Sequence, residues 1–90
     1  MPDDIHRVPV DAEFDLHAFA PRDVVDVVHA YLDEAHALGL REVRLVHGRG
    51  IGVQRARVQQ ALQAHPLVER FADDPRSHLG ATLVILLPRP

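Results

Sequence analysis

Two short stretches hold residues whose types and spacing could do chemistry. The first is Asp15-Leu16-His17, and the second is His47-Gly48-Arg49-Gly50-Ile51-Gly52. In an extended segment, residues two apart point to the same face, so Asp15 should lie beside His17. A carboxylate beside an imidazole fixes its tautomer and stabilises its charged form. Histidine is the usual general acid or base near neutral pH. In the second stretch, Gly48, Gly50 and Gly52 let the backbone approach a ligand closely. Their amides, with the start of a following helix, could bind a phosphate. Arg49 lies in that loop, Arg55 and Arg57 follow it, and Arg22 precedes a helix of its own. Asp15 and His17 could also begin a site for a divalent metal ion, but no firm third ligand accompanies them, so the metal stays unknown. The loop lacks the Gly-Lys-Ser/Thr ending of a nucleotide-triphosphate loop, and the chain has no Lys at all.

The elements that must position these residues follow from periodicity. Residues 1–9 read as an N-terminal tail and 10–90 as one domain. Val10 to Leu16 alternates apolar and acidic residues, the mark of a half-buried strand. Pro21 starts a helix that carries Val24, Val25, Val28, Tyr31, Leu32, Ala35 and Leu38 at helical spacing and stops at Gly39. Glu42 to Val46 reads as a strand, Val53 to Ala64 as a helix ended by Pro66, and Leu67 to Ala72 as a strand. Asp73 to Gly80 reads as a polar loop, and Ala81 to Leu87 as a central strand, apolar at almost every position. The order β-α-β-α-β-β implies parallel pairing with right-handed crossovers for the first units, then an antiparallel last pair. Two helices should cover one face of a four-stranded mixed sheet. Val84 and Leu86, or their neighbours, should then lie on the other. Ligand sites of open α/β sheets form at the C-terminal strand edge, where His17 and His47 should meet over one crevice.

Composition narrows the class. The chain has 90 residues, 47% hydrophobic and 26% charged, which suits one globular domain and not a disordered chain. No apolar run approaches the length of a membrane span, and the acidic N-terminus lacks the apolar region of a secretory signal. Cysteine is absent, which excludes disulfides and thiolate chemistry. The expected compartment is the cytoplasm. Ten basic and thirteen acidic residues give a net charge of −3. A nucleic-acid binder is expected to be basic. All ten basic residues are Arg, whose planar fork suits phosphate, so their placement matters more than their number. Four of them, Arg22, Arg49, Arg55 and Arg57, should gather at one rim.

Taken together, Phe14-Asp15-Leu16-His17, Val43 to Gly52, His65-Pro66-Leu67-Val68 and Gly80-Ala81-Thr82-Leu83-Val84 resemble the small MutS-related (Smr) domain over about residues 10–88. The resemblance implies a two-layer α/β sandwich like the C-terminal domain of translation initiation factor three. It implies nucleic-acid binding and, in many members, endonuclease activity: DNA nicking in repair or recombination, or messenger RNA cleavage on stalled ribosomes. Implied partners are DNA or RNA, with a ribosome or a MutS-like ATPase in the same chain. Asp15 and His17 match the family's first motif, and His47, Gly48, Arg49, Gly50 and Gly52 its second, which makes Asp15, His17 and His47 the expected catalytic residues. Two departures stand out. Ala18 replaces the Gly that follows the first histidine, and Ser77-His78-Leu79-Gly80 replaces a richer glycine stretch. Three readings follow: an endonuclease, a non-catalytic module that binds structured nucleic acid, and a protein-interaction domain that uses the open face around Val84 and Leu86.

Overall fold

The computed structural model of the protein describes residues 12–48 and 53–89. Arg49, Gly50, Ile51 and Gly52 of the loop, and the tail up to residue 11, lie outside the described residues. The elements are β1 (Glu13–Asp15), a 3₁₀ turn (Pro21–Asp23), α1 (Val24–Ala37), β2 (Glu42–Val46), α2 (Val53–Ala64), β3 (Val68–Asp73) and β4 (Ala81–Leu86). The expected α/β order holds. Pro21 opens a 3₁₀ turn and not the α-helix itself, and Gly39 takes the left-handed φ of +85° that ends α1.

The sheet runs β1-β2-β4-β3. β1 pairs parallel with β2, while β4 pairs antiparallel with both β2 and β3. β1, β2 and β3 therefore run the same way, and β4 lies between β2 and β3 in the opposite sense. The C-terminal ends of three strands and the start of the fourth share one edge. β4 is bonded on both sides, which is why its sequence is apolar at nearly every position.

The helices share one face. Val24, Val28, Leu32 and Ala35 of α1 and Val58, Ala61 and Leu62 of α2 form one core with Leu16, Val43, Leu45, Val84 and Leu86. Val84 and Leu86 are thus fully buried beneath the helices, and their neighbours Leu83 and Ile85 face the other side. The strand period decides this: Val84 lies opposite Val43, whereas Leu83 lies opposite Arg44. The Arg44 guanidinium bonds Asp74 at 2.6 Å and Glu13 at 3.2 Å, so the uncovered face is threaded by charge.

The segment read as a polar loop is more ordered than its composition suggests. Asp74 is buried, not solvated. Its carboxylate accepts from Arg44 Nε, from the Arg76 amide at 3.0 Å and from Arg76 Nε at 3.4 Å. Arg44 first, then the Arg76 amide, holds its pKa down to about 2. His78 and Leu79 close the turn with φ of 52° and 70°, a left-handed conformation that side chains disfavour.

Two outcomes are expected. Leu79 is half exposed, so Leu79→Gly loses little packing and relieves a left-handed cost of about 1–2 kcal/mol, against ~0.5–1 kcal/mol of added chain entropy. The net gain should raise Tm by a few degrees in a thermal melt. Asp74 contributes stability that is complete above its unfolded pKa of 3.8 and lost as pH falls toward 2. Tm of Asp74→Asn should be lower at neutral pH and fall less between pH 4 and 2 than that of the parent, by circular dichroism.

Candidate functional site

The edge that collects the strand ends is built from short-range bonds. β1 stops at Asp15, so His17 does not share a strand face with it as the alternation suggested. A turn brings the two together instead. Asp15 Oδ1 accepts from the His17 amide at 3.0 Å and from His17 Nδ1 at 2.7 Å. This is the local bond that Asp makes readily to a backbone two residues on. The His17 amide first, then its ring, holds the Asp15 carboxyl below its ordinary pKa. With Nδ1–H donated to Asp15, the neutral His17 ring keeps its lone pair on Nε2. The His17 side chain is 73% exposed, so the ring is open to solvent. Ala18 does not disturb this turn: among the described residues, only His78 and Leu79 are non-glycine residues at positive φ.

His47 lies on the neighbouring strand end. Leu16 N–H bonds Val46 O at 2.7 Å, which holds the two chain ends side by side. The expected meeting of two open histidines is nonetheless not what forms. His47 is only 4% exposed. Its Nδ1 lies 3.1 Å from the Gly48 carbonyl and its Nε2 2.9 Å from Thr82 Oγ1. A carbonyl can only accept, so Nδ1–H donates and Nε2 accepts the Thr82 hydroxyl proton. Burial pushes the His47 pKa down; the Gly48 carbonyl opposes this, Arg55 adds to it, and Asp73 opposes it. The ring is therefore neutral at neutral pH, with both nitrogens engaged.

A second layer supports this loop. The His47 and Gly48 amides both donate to the Gly80 carbonyl, at 3.0 and 2.9 Å. Gly48 adopts φ +82°, a value that its missing Cβ permits. Arg55 forks onto Asp73, with both bonds at 2.7 Å, and Gln59 Nε2 donates to the same carboxylate at 3.0 Å. Arg55, expected to meet phosphate, thus has its charge matched within the fold. Arg57 is exposed and reaches the Pro21 carbonyl at 3.5 Å, which ties α2 to the entry of α1. Arg22, also exposed, lies next in sequence to that carbonyl. The structure therefore brings Asp15, His17, His47, Gly48 and Arg55 to one edge, with Arg22 and Arg57 on its flank.

Sequence reading missed Asp73, Gln59 and Thr82 as supports of this edge. Thr82 did carry a signal, since it is the polar interruption of an otherwise apolar strand. His65 is a satisfied core residue: it accepts from the Leu67 amide at 3.1 Å through Nδ1 and bonds Asp33 at 3.0 Å through Nε2. For a divalent metal the fit is poor. Among the described residues, no three His, Cys, Asp or Glu side chains are grouped to hold an ion. Nor, among them, is any helix long and apolar enough to cross a membrane.

Comparison with known proteins agrees with this geometry. The profile of the Smr domain matches residues 14–87. Endonuclease MutS2 of Caldicellulosiruptor saccharolyticus is 38% identical over 79 residues, covering 86% of this chain and 10% of that protein. Endonuclease MutS2 of Thermus thermophilus is 37% identical over 78 residues, covering 87% of this chain and 10% of that protein. This chain thus spans about a tenth of the length of the curated relatives it matches. The crystal structure of the Smr domain of Thermus thermophilus MutS2 superposes with a TM-score of 0.80 at 40% identity, over 84% of this chain and 98% of that one. YdaL, a stand-alone small MutS-related protein from Escherichia coli, gives 0.79 at 26% identity, over 87% of this chain and 66% of its own. With the motif residues at one strand edge and the profile covering most of its length, the chain belongs to the Smr domain family.

Proposed function

We propose that the domain binds nucleic-acid phosphate at this edge and cleaves the phosphodiester backbone, with His17 as the general base. One observation carries the reading: Asp15 Oδ1 accepts both the amide and Nδ1–H of His17, which leaves the Nε2 lone pair of a solvent-exposed ring at this edge. On RNA, Nε2 would take the proton of the 2′-hydroxyl. The 2′-oxygen would attack phosphorus as the bond to the 5′-oxygen breaks, and solvent would protonate the leaving alkoxide. Asp15 would stabilise the imidazolium that forms. His47, buried and doubly bonded, is proposed to hold Gly48 in place and not to exchange protons. On DNA, the nucleophile would be a water oriented by the same nitrogen. The names of the MutS2 relatives favour an endonuclease.

A second reading is binding without cleavage. It is favoured by the engagement of His47, because the edge then offers one open imidazole and not two. In either case the net charge of −3 gives weak non-specific affinity, so delivery by a partner, a ribosome or a MutS-like ATPase in the same chain, is part of the proposal.

His17→Ala should lower the cleavage rate by roughly 10²–10⁴-fold, the usual worth of a general base. A gel assay on matched RNA and DNA strands measures it. A single deoxy substitution at the cut site should abolish RNA cleavage where the 2′-hydroxyl is the nucleophile and leave it intact where water is. If Asp15→Ala/His17→Ala cuts as fast as the parent, the site is wrongly placed; if the parent cuts neither strand yet binds both, the binding reading stands. Arg57→Ala should reduce the steepness of binding against salt by about 0.7–0.9 for each phosphate it no longer neutralises, read by anisotropy titration. Arg55→Ala should instead lower Tm, since it strips Asp73 of its forked partner.

A further inference from the structure

The chain has four Phe and Tyr residues and no Trp, and three of the four form one column. Tyr31 of α1 stacks on Phe14 of β1 with ring centroids 4.5 Å apart and planes 10° apart. Phe14 in turn meets Phe19, at 5.8 Å and 33°. Tyr31 and Phe14 are half-buried against the core, while Phe19 is 38% exposed. The column therefore runs outward from the core and ends in an open aromatic ring. That ring lies two residues past His17. The Phe19 amide donates to the Leu16 carbonyl at 3.1 Å and closes the turn that carries His17, so its backbone is fixed relative to the Asp15–His17 pair.

We propose that an unpaired nucleobase stacks on Phe19 beside the Asp15–His17 pair. The inference deepens the proposed function and rests on it: the substrate class is a nucleic acid with an unstacked nucleotide next to the phosphate that is cut. The surroundings favour a base over an apolar protein side chain. Pro21, two residues beyond Phe19, takes the Arg57 guanidinium on its carbonyl, and Arg22 follows. An aromatic ring with an imidazole two residues before it and guanidinium groups at Pro21 and Arg22 just after it suits a base with its phosphates, the usual make-up of single-strand sites. Phe14 already orients the ring, so stacking costs little side-chain entropy. A fully paired duplex keeps its bases stacked on each other and offers this ring nothing. The site would thus select single strands, bulges or mismatched nucleotides.

The test uses a short hairpin with one bulged adenine, and the same hairpin abasic at the bulge, each made as RNA and as DNA. Binding is read by fluorescence anisotropy at low salt for the parent, Phe19→Ala and Phe19→Trp. The parent should prefer the bulged hairpin by about fivefold or more, the low end of base–aromatic stacking. Phe19→Ala should bind both at the abasic level. Phe19→Trp should keep the preference, and its emission should be quenched by the bulged adenine and not by the abasic site. If the parent binds both hairpins equally, or Phe19→Ala keeps the preference, the stacking site is refuted while phosphate binding survives. If neither hairpin binds the parent, the proposed function falls and this inference with it.

Discussion

A single carbonyl oxygen, that of Gly80, ties two loops into one edge. It accepts the amides of both His47 and Gly48, where β2 ends and β4 begins. Its position depends on the turn before it, which Asp74 closes from inside and His78 and Leu79 complete in left-handed conformations. The antiparallel β4 then carries Thr82 under the helices to meet His47. The loop after β2 is thus held by the start of a strand that arrives more than thirty residues later. Removing the Asp74 carboxylate would reach the site through the turn, Gly80 and Gly48, and not by touching it directly.

The charge balance takes a different meaning in three dimensions. Some of the acid is paired with arginine within the fold: Asp74 with Arg44 and Arg76, Asp73 with Arg55, Glu13 with Arg44. Asp74, the buried one of the three, needs such partners, since an unpaired carboxylate in a low-dielectric interior is strongly unfavourable. The net charge of −3 therefore says little about the local field at the edge. What matters there is which guanidinium groups are left facing water, and Arg22 and Arg57 are exposed on that flank.

The histidines show how one residue type divides among roles. His17 is open and set by a neighbouring carboxylate, His47 is sealed and neutral, and His65 caps the end of α2 against α1. Asp15, two residues before His17, marks the first in the sequence, whereas nothing local to His47 announces its burial. Their difference arises because His47 leaves an inner strand of the sheet, while His17 leaves its outer strand.

Local pattern in the chain is enough to set the element order, the buried stripe Val24, Val28, Leu32 and Ala35 of α1, and the place of Asp15, His17 and His47 at one edge, although Val25 and Leu38, expected on the same stripe, are exposed. Those features rest on short-range periodicity and on turn residues such as Gly39, Gly48 and Pro66, whose effects act within a few positions. Other features wait for the assembled fold. That Val84 and not Leu83 enters the core follows from strand register, which is set by pairing with β2 and β3. Arg55 is neutralised by Asp73, eighteen residues away, and Asp74 is buried. Phe19 ends an aromatic column anchored on Tyr31. Burial and ion pairing depend on which distant segments meet, and no local pattern encodes that.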